Sequence, residues 1–176
     1  PTRRSSDLMR WPLIASLVVG AAWIPVAHMS PLWATVLIWV MLVTALWALL
    51  SAGASDRLWL RTPIALYAGW LTAASCVALG LMLAGHGVVS ERLAALAMIV
   101  LALVIALLIM ALRGDTPEYA GAVIWALVGV VMANLGTENW GVLTLCAAGI
   151  GLLGVSAWQA HAGLSRAEGL NRPDKR

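Results

Sequence analysis

The chain contains no phenylalanine, only two cysteines, and too little charge to cover a water-soluble globule. Of its 176 residues 11% are Asp, Glu, Lys or Arg, where a soluble domain carries roughly 25%. With 62% hydrophobic residues and a mean hydropathy of +0.91, the composition describes an integral membrane protein. No long apolar run has an acid or a base near its centre. That removes the intramembrane charge on which ion- and proton-coupled transporters rely, a group costing ~2.5–3.5 kcal/mol to insert. There is no Walker sequence, no zinc-protease helix motif and no convergent Ser-His-Asp set. No residue is therefore assigned a catalytic or metal-binding role. Cys76 and Cys146 lie inside apolar runs without a His or Cys at ligand spacing, so both read as small buried hydrophobes. His28, His86 and His161 fall near the ends of apolar runs and read as interfacial residues.

What the chain does have is tryptophan, ten residues of it, and six apolar runs. The runs cover about 11–29, 31–52, 60–84, 91–113, 117–135 and 139–159. Each approaches the ~20 residues that cross ~30 Å of hydrocarbon as a helix. Backbone groups in lipid must be paired internally, and these runs lack the alternation of barrel strands, so helices are expected. The fold class is all-α, a polytopic transmembrane bundle of about six helices. Ser30-Pro31 and Thr116-Pro117 place a cap and a first-turn proline at helix starts. Ser90-Glu91 and Thr137-Glu138 place a cap and an acid there. Pro12 is expected to open the first span and Pro25 to kink it.

The stretch Pro1–Leu8 has a different character. It back-translates to CCT ACA CGA CGC TCT TCC GAT CT, which looks like a common short-read sequencing adapter, and no initiator Met precedes it. It is expected to be an artefact joined near Leu8 to Arg10 of a longer protein, and is left out of charge arguments. The transmembrane domain then covers 9–160, and 161–176 forms a polar cytoplasmic tail. Six spans put Arg10, Arg57, Arg61, Arg113, Arg166, Arg172, Lys175 and Arg176 on one side and only Arg92 on the other. This asymmetry makes the first side, with the tail, cytoplasmic, in an inner membrane. The high pI thus reflects topology and not a nucleic-acid partner.

Within the third run, "LYAGWLTAASCVA" sets Tyr67, Trp70, Ala74 and Ala78 on one helical ridge, two rings beside two alanines. Room is left there for something flat. A second ridge, Gly69, Ala73, Cys76 and Gly80, is small throughout and suits close helix packing. Trp11, Trp33, Trp59, Trp140 and Trp158 lie near span ends and read as interface anchors. Trp23, Trp70 and Trp125 lie deeper, where packing and pocket lining are both open.

"LYAGWLTAASCVA" resembles the fifth-helix signature of the TspO/MBR family, the tryptophan-rich sensory or translocator proteins, in which a YxxW pair is followed by Ala and then Asn. "GAAWIPVAH" resembles that family's third helix, and "YAGAVIWALVGV" the helices appended in longer bacterial members. The similarity covers about 11–135. Gly20 and Ala78 stand where the family carries Asn, and its first two helices have no counterpart. The resemblance implies a helical bundle that binds porphyrin, haem, sterols or related hydrophobes, with Trp23, Tyr67, Trp70, Ala74 and Ala78 as the ligand-binding residues. It implies a sensor or carrier in place of a conventional enzyme, although some members are associated with porphyrin breakdown involving Trp. The expected partners are the lipid bilayer, a hydrophobic small molecule and, as an open option, a second copy in a homodimer. Two other readings stand beside it: a permease-type fragment with a path along Thr44, Thr72, Ser75 and Asn134, and a structural membrane subunit.

Overall fold

The computed structural model describes the backbone of residues 3–53 and 57–170, and side chains within 9–53 and 59–162. Six α-helices follow one another: α1 (Arg3–Met29), α2 (Pro31–Ser51), α3 (Thr62–Gly85), α4 (Glu91–Leu112), α5 (Pro117–Asn134) and α6 (Trp140–Leu170). All six contain a stretch long and apolar enough to cross a membrane, and no strand occurs among the described residues. The stretches are Met9–Met29, Pro31–Ser51, Trp59–Gly85, Glu91–Leu112, Pro117–Asn134 and Trp140–Ala162. Their ends lie within a few residues of the hydropathy boundaries, because in a bilayer the length of an apolar run and the length of a helix are set by one thickness. This is an all-α polytopic membrane bundle.

The punctuation residues act at most of the expected places. Ser30 and Ser90 precede α2 and α4, and their hydroxyls accept from the backbone N–H of Trp33 and Leu93. Thr116 does not cap α5 by its side chain; its hydroxyl donates backwards to the Arg113 carbonyl at 2.9 Å. Thr137 likewise donates to the Asn134 carbonyl, and α6 begins three residues later at Trp140. The turns before α4 and α6 contain Gly87 and Gly136 at φ 67° and 85°, conformations that favour glycine. Pro12 lies inside α1 and does not open it, because the helical backbone starts upstream at Arg3. The adapter-like stretch thus enters α1 as backbone from residue 3; its side chains, and the tail residues 171–176, lie outside the described residues.

Helix α3 is the hub, packing against α2, α4 and α5. Helix α6 closes the far side on α4 and α5, and α1 runs along α2. The core between them is built from Leu42, Leu49, Leu71, Tyr119, Val123 and Leu153, all nearly or fully buried. Lipid supplies little hydrophobic drive for helix association, so close packing and interhelical hydrogen bonds hold such a bundle. Both are visible on α3. A Cβ added at Gly69 would stand 2.8 Å from that of Ala122 on α5, and one at Gly80 3.0 Å from Met98 Cγ on α4. Gly69 is thus a close-packing position toward α5 and Gly80 one toward α4.

Four hydroxyl contacts fasten α3 to its neighbours. At its start the Thr62 hydroxyl donates to the Glu118 carboxylate of α5 at 3.2 Å. The Ser75 hydroxyl donates to the Ile38 carbonyl on α2 at 3.2 Å. Thr72 donates to Ala68 in its own helix and lies 2.8 Å from the Tyr119 hydroxyl of α5. The Tyr67 hydroxyl lies 3.0 Å from the buried Ser16 of α1, which donates to the Met41 carbonyl of α2 at 2.9 Å.

One end of the bundle carries an ionic clamp. A single π-helical turn, Arg57–Arg61, leads into α3 and brings Arg61 inward, where only 4% of it is exposed. Its guanidinium pairs with Asp115 in the α4–α5 turn and donates to the Gly53 carbonyl at 2.7 Å. Arg113 donates to the Leu50 and Ala52 carbonyls at 2.9 Å and reaches Asp115 at 3.2 Å. Two cations thus cover the carbonyl end of α2, where the helix dipole favours positive charge.

Candidate functional site

The residues expected to meet a ligand fall on two helices. Tyr67, Ala74 and Ala78 are half-buried on α3 and pack on the core, while the Trp70 ring is 53% exposed beside them. Trp23 is half-buried on α1, and its indole N–H donates to the Ala34 carbonyl of α2 at 3.0 Å. The Ser16–Met41 and Trp23–Ala34 contacts lie seven residues apart on each helix and run in opposite directions, which fixes the antiparallel register of α1 on α2.

Tyr67 is the link between the α3 ridge and α1. Ser16 gives its own proton to Met41, so the Tyr67 hydroxyl donates to Ser16 and has no proton left for a ligand. What Tyr67 offers outward is ring area. Gly20, one turn along α1 from Ser16, leaves space for Met41: a Cβ there would sit 3.0 Å from Met41 Cε and 4.0 Å from the Tyr67 hydroxyl. Among the described residues no hydrogen bond joins Trp23 to the α3 ridge.

The tryptophans expected to act as interface anchors, Trp11, Trp33, Trp59, Trp140 and Trp158, are all exposed. Trp125 is also exposed, at 77%, on the outer side of α5.

Two grooves lie away from the Tyr67–Trp70 ridge. The larger, about 870 Å³, runs between α2 and the second half of α3 and is lined by Thr35, Trp39, Val43, Thr44, Met82 and His86, among others. Its Trp39 was not singled out by sequence; spacing within α2 gives no sign of which face opens. The Trp39 indole N–H is buried against protein and makes no hydrogen bond. The second groove, about 490 Å³, separates α4 from α5 over α3 and is lined by alanine and glycine together with larger apolar residues such as Met98, Ile99 and Leu127. Neither includes Trp23, Tyr67, Trp70, Ala74 or Ala78.

The polar groups that a solute path would need are engaged locally. Thr44 donates to the carbonyls of Val40 and Met41, Thr72 and Ser75 make the contacts described above, and Asn134 donates to Val130 and accepts from Asn139. They share no common lumen: Thr44 faces the larger groove, whereas Thr72 and Ser75 are fully buried. Cys76 and Cys146 are buried free thiols. Among the described residues no three His, Cys, Asp or Glu side chains gather. The arrangement is suited to holding an apolar molecule.

The family model described as TSPO-like protein matches residues 2–158, extending beyond the 11–135 region of motif similarity. No curated protein and no solved structure matches the chain. A match over most of the chain, on a bundle of six membrane helices with its YxxW pair on the central one, carries the assignment: this chain belongs to the TSPO-like protein family.

Proposed function

We propose that the chain binds a tetrapyrrole-like or other planar hydrophobic molecule within the bacterial inner membrane, as a sensor or carrier, along the outer face of α3. The single observation that carries this reading is the half-exposed Trp70 ring on the Tyr67–Ala74–Ala78 ridge. An aromatic face with one-carbon side chains beside it accepts a flat ring system edge to edge with little steric conflict. Tyr67, held through Ser16, stiffens that surface, and Trp23 is fixed at the α1–α2 seam by its bond to Ala34. Family membership supports the same class of ligand. In this reading the clamp bearing Arg61 and Arg113 faces the cytoplasm, as the charge asymmetry requires.

The test is a Soret-band absorbance titration of protoporphyrin into the purified chain in nanodiscs. Offset stacking on one ring is worth ~0.5–1.5 kcal/mol beyond area, so Trp70→Leu is expected to weaken binding about two- to tenfold with the fold retained. Ala74→Leu fills the space beside the ring and is expected to weaken it further. Trp158→Leu, at an exposed anchor on α6, leaves affinity unchanged. Parental affinity in both α3 variants would end the reading.

A further inference from the structure

We infer that the groove between α3, α4 and α5 is a separate binding site for a long-chain cationic amphiphile, with its alkyl chain on the apolar floor and its ammonium head at Glu91. The groove exists because α4 and α5 both pack on α3 yet barely touch one another; its lining is apolar apart from Glu91, with Ala94, Ala95 and Ala126 among its smallest members. Its wall from Glu91 to Ala102 is about 17 Å long at the helical rise of ~1.5 Å per residue. That length suits an extended alkyl chain.

Glu91 is the one charged residue in the lining and stands at the end of the groove where α4 begins. Its carboxylate makes no ion pair or hydrogen bond among the described residues. The basic groups nearby in sequence face elsewhere. Arg92 directs its guanidinium to α6, with Nη2 3.5 Å from the position a Cβ on Gly141 would take. His86 lines the other groove, its Nδ1 2.9 Å from the Met82 carbonyl oxygen. The groove therefore has an apolar floor and one negative end. Lipid tails are as apolar as that floor, so burying an alkyl chain gives little preference over surrounding lipid. Selection falls to the head: a cation complements Glu91, a neutral head gains nothing, and an anion is repelled.

The experiment is calorimetric titration of the full chain in phosphatidylcholine nanodiscs with dodecyltrimethylammonium, dodecanol and dodecyl sulfate, each corrected by empty nanodiscs. The expected result is saturable binding of one dodecyltrimethylammonium per chain, weaker binding of dodecanol and none of dodecyl sulfate. Glu91→Gln is expected to lower affinity for the cation about fivefold, the upper range for a solvent-accessible ion pair, and to leave dodecanol unaffected. Glu91→Asp retains most of the preference. Ala95→Leu, one turn from Glu91, weakens cation and alcohol alike. Equal binding of all three probes would reduce the groove to an ordinary acyl-chain contact and overturn the inference. So would an unchanged cation affinity in Glu91→Gln, which removes no internal contact and folds as the parent does.

Discussion

Gly69 of α3 lies so close to Tyr119 of α5 that a methyl group on it would stand 2.5 Å from the Tyr119 carbonyl oxygen. Real Cβ atoms do not approach a backbone oxygen that closely, so any side chain at this position must push the two helices apart. Tyr119 is itself fully buried, and its hydroxyl meets Thr72 only one turn beyond Gly69. Close approach and hydrogen bond depend on the same helix separation.

Gly69→Ala is accordingly expected to destabilise the bundle in detergent by about 1–3 kcal/mol, the range for overpacking. Gly121, with open space around it, supplies the comparison: Gly121→Ala is expected to be neutral. Thermal unfolding followed by circular dichroism checks the difference. Equal melting of the two variants would mean that α3 and α5 are not in contact.

The Ser16–Tyr67 pair gives an asymmetric prediction. Tyr67→Phe leaves Ser16 its bond to Met41, whereas Ser16→Ala removes both bonds and leaves a phenol without its partner. Intramembrane hydrogen bonds are worth about 0.6 kcal/mol on average and up to ~1.7. Ser16→Ala is therefore expected to cost up to about twice as much as Tyr67→Phe, read from unfolding in mixed micelles. The reverse order would show that Ser16 does not bridge the three helices.

Asp115 is shared by two arginines, one of which is almost wholly buried. Asp115→Asn leaves the Arg61 guanidinium uncompensated. Removing one partner of a buried pair costs about 3–5 kcal/mol; because the Asp115 side chain is 39% exposed, about 2–3 kcal/mol is expected. Adding Arg61→Met to Asp115→Asn is expected to recover part of that loss, since the more deeply buried cation is then gone while Arg113 keeps its carbonyl acceptors at Leu50 and Ala52. A double variant worse than the single would place the contribution of Arg61 in its Gly53 contact.

Membrane orientation can be read with cysteine labelling, because the two native thiols are buried and give no background. Val88 and Thr137 lie exposed in the turns before α4 and α6. Val88→Cys and Thr137→Cys are both expected to react with an impermeant maleimide added outside intact cells. Protection of one but not the other would break the six-span path; protection of both would invert it.

The span pattern was legible because hydropathy alone sets it, and the Gly69–Gly80 ridge because only small side chains permit close approach. The packing of those two glycines on α5 and α4 follows directly from that residue choice. Other features were beyond sequence reading for a physical reason. Arg61 and Arg113 counted only as topological charges, yet their burial depends on three distant segments, Leu50–Gly53, the turn into α3 and Asp115, meeting at one point. No local pattern encodes that meeting. The groove faces were hidden likewise: α2 and α4 are apolar nearly all round, so periodicity could not say which side of Trp39 or Glu91 would be left open.

Because Ser75, Thr72 and Tyr67 tie α3 to α2, α5 and α1 at different azimuths, rotating α3 by one residue would break all three bonds together. The central helix is thus locked in phase and makes a poor moving part. Helix α1 is the opposite case: only 11% of its membrane window is buried, and Ser16 and Trp23 are among its polar ties to the bundle. A displacement of the Tyr67 phenol therefore meets α1 at Ser16 and, through the Met41 carbonyl, passes into the α1–α2 seam and not along α3.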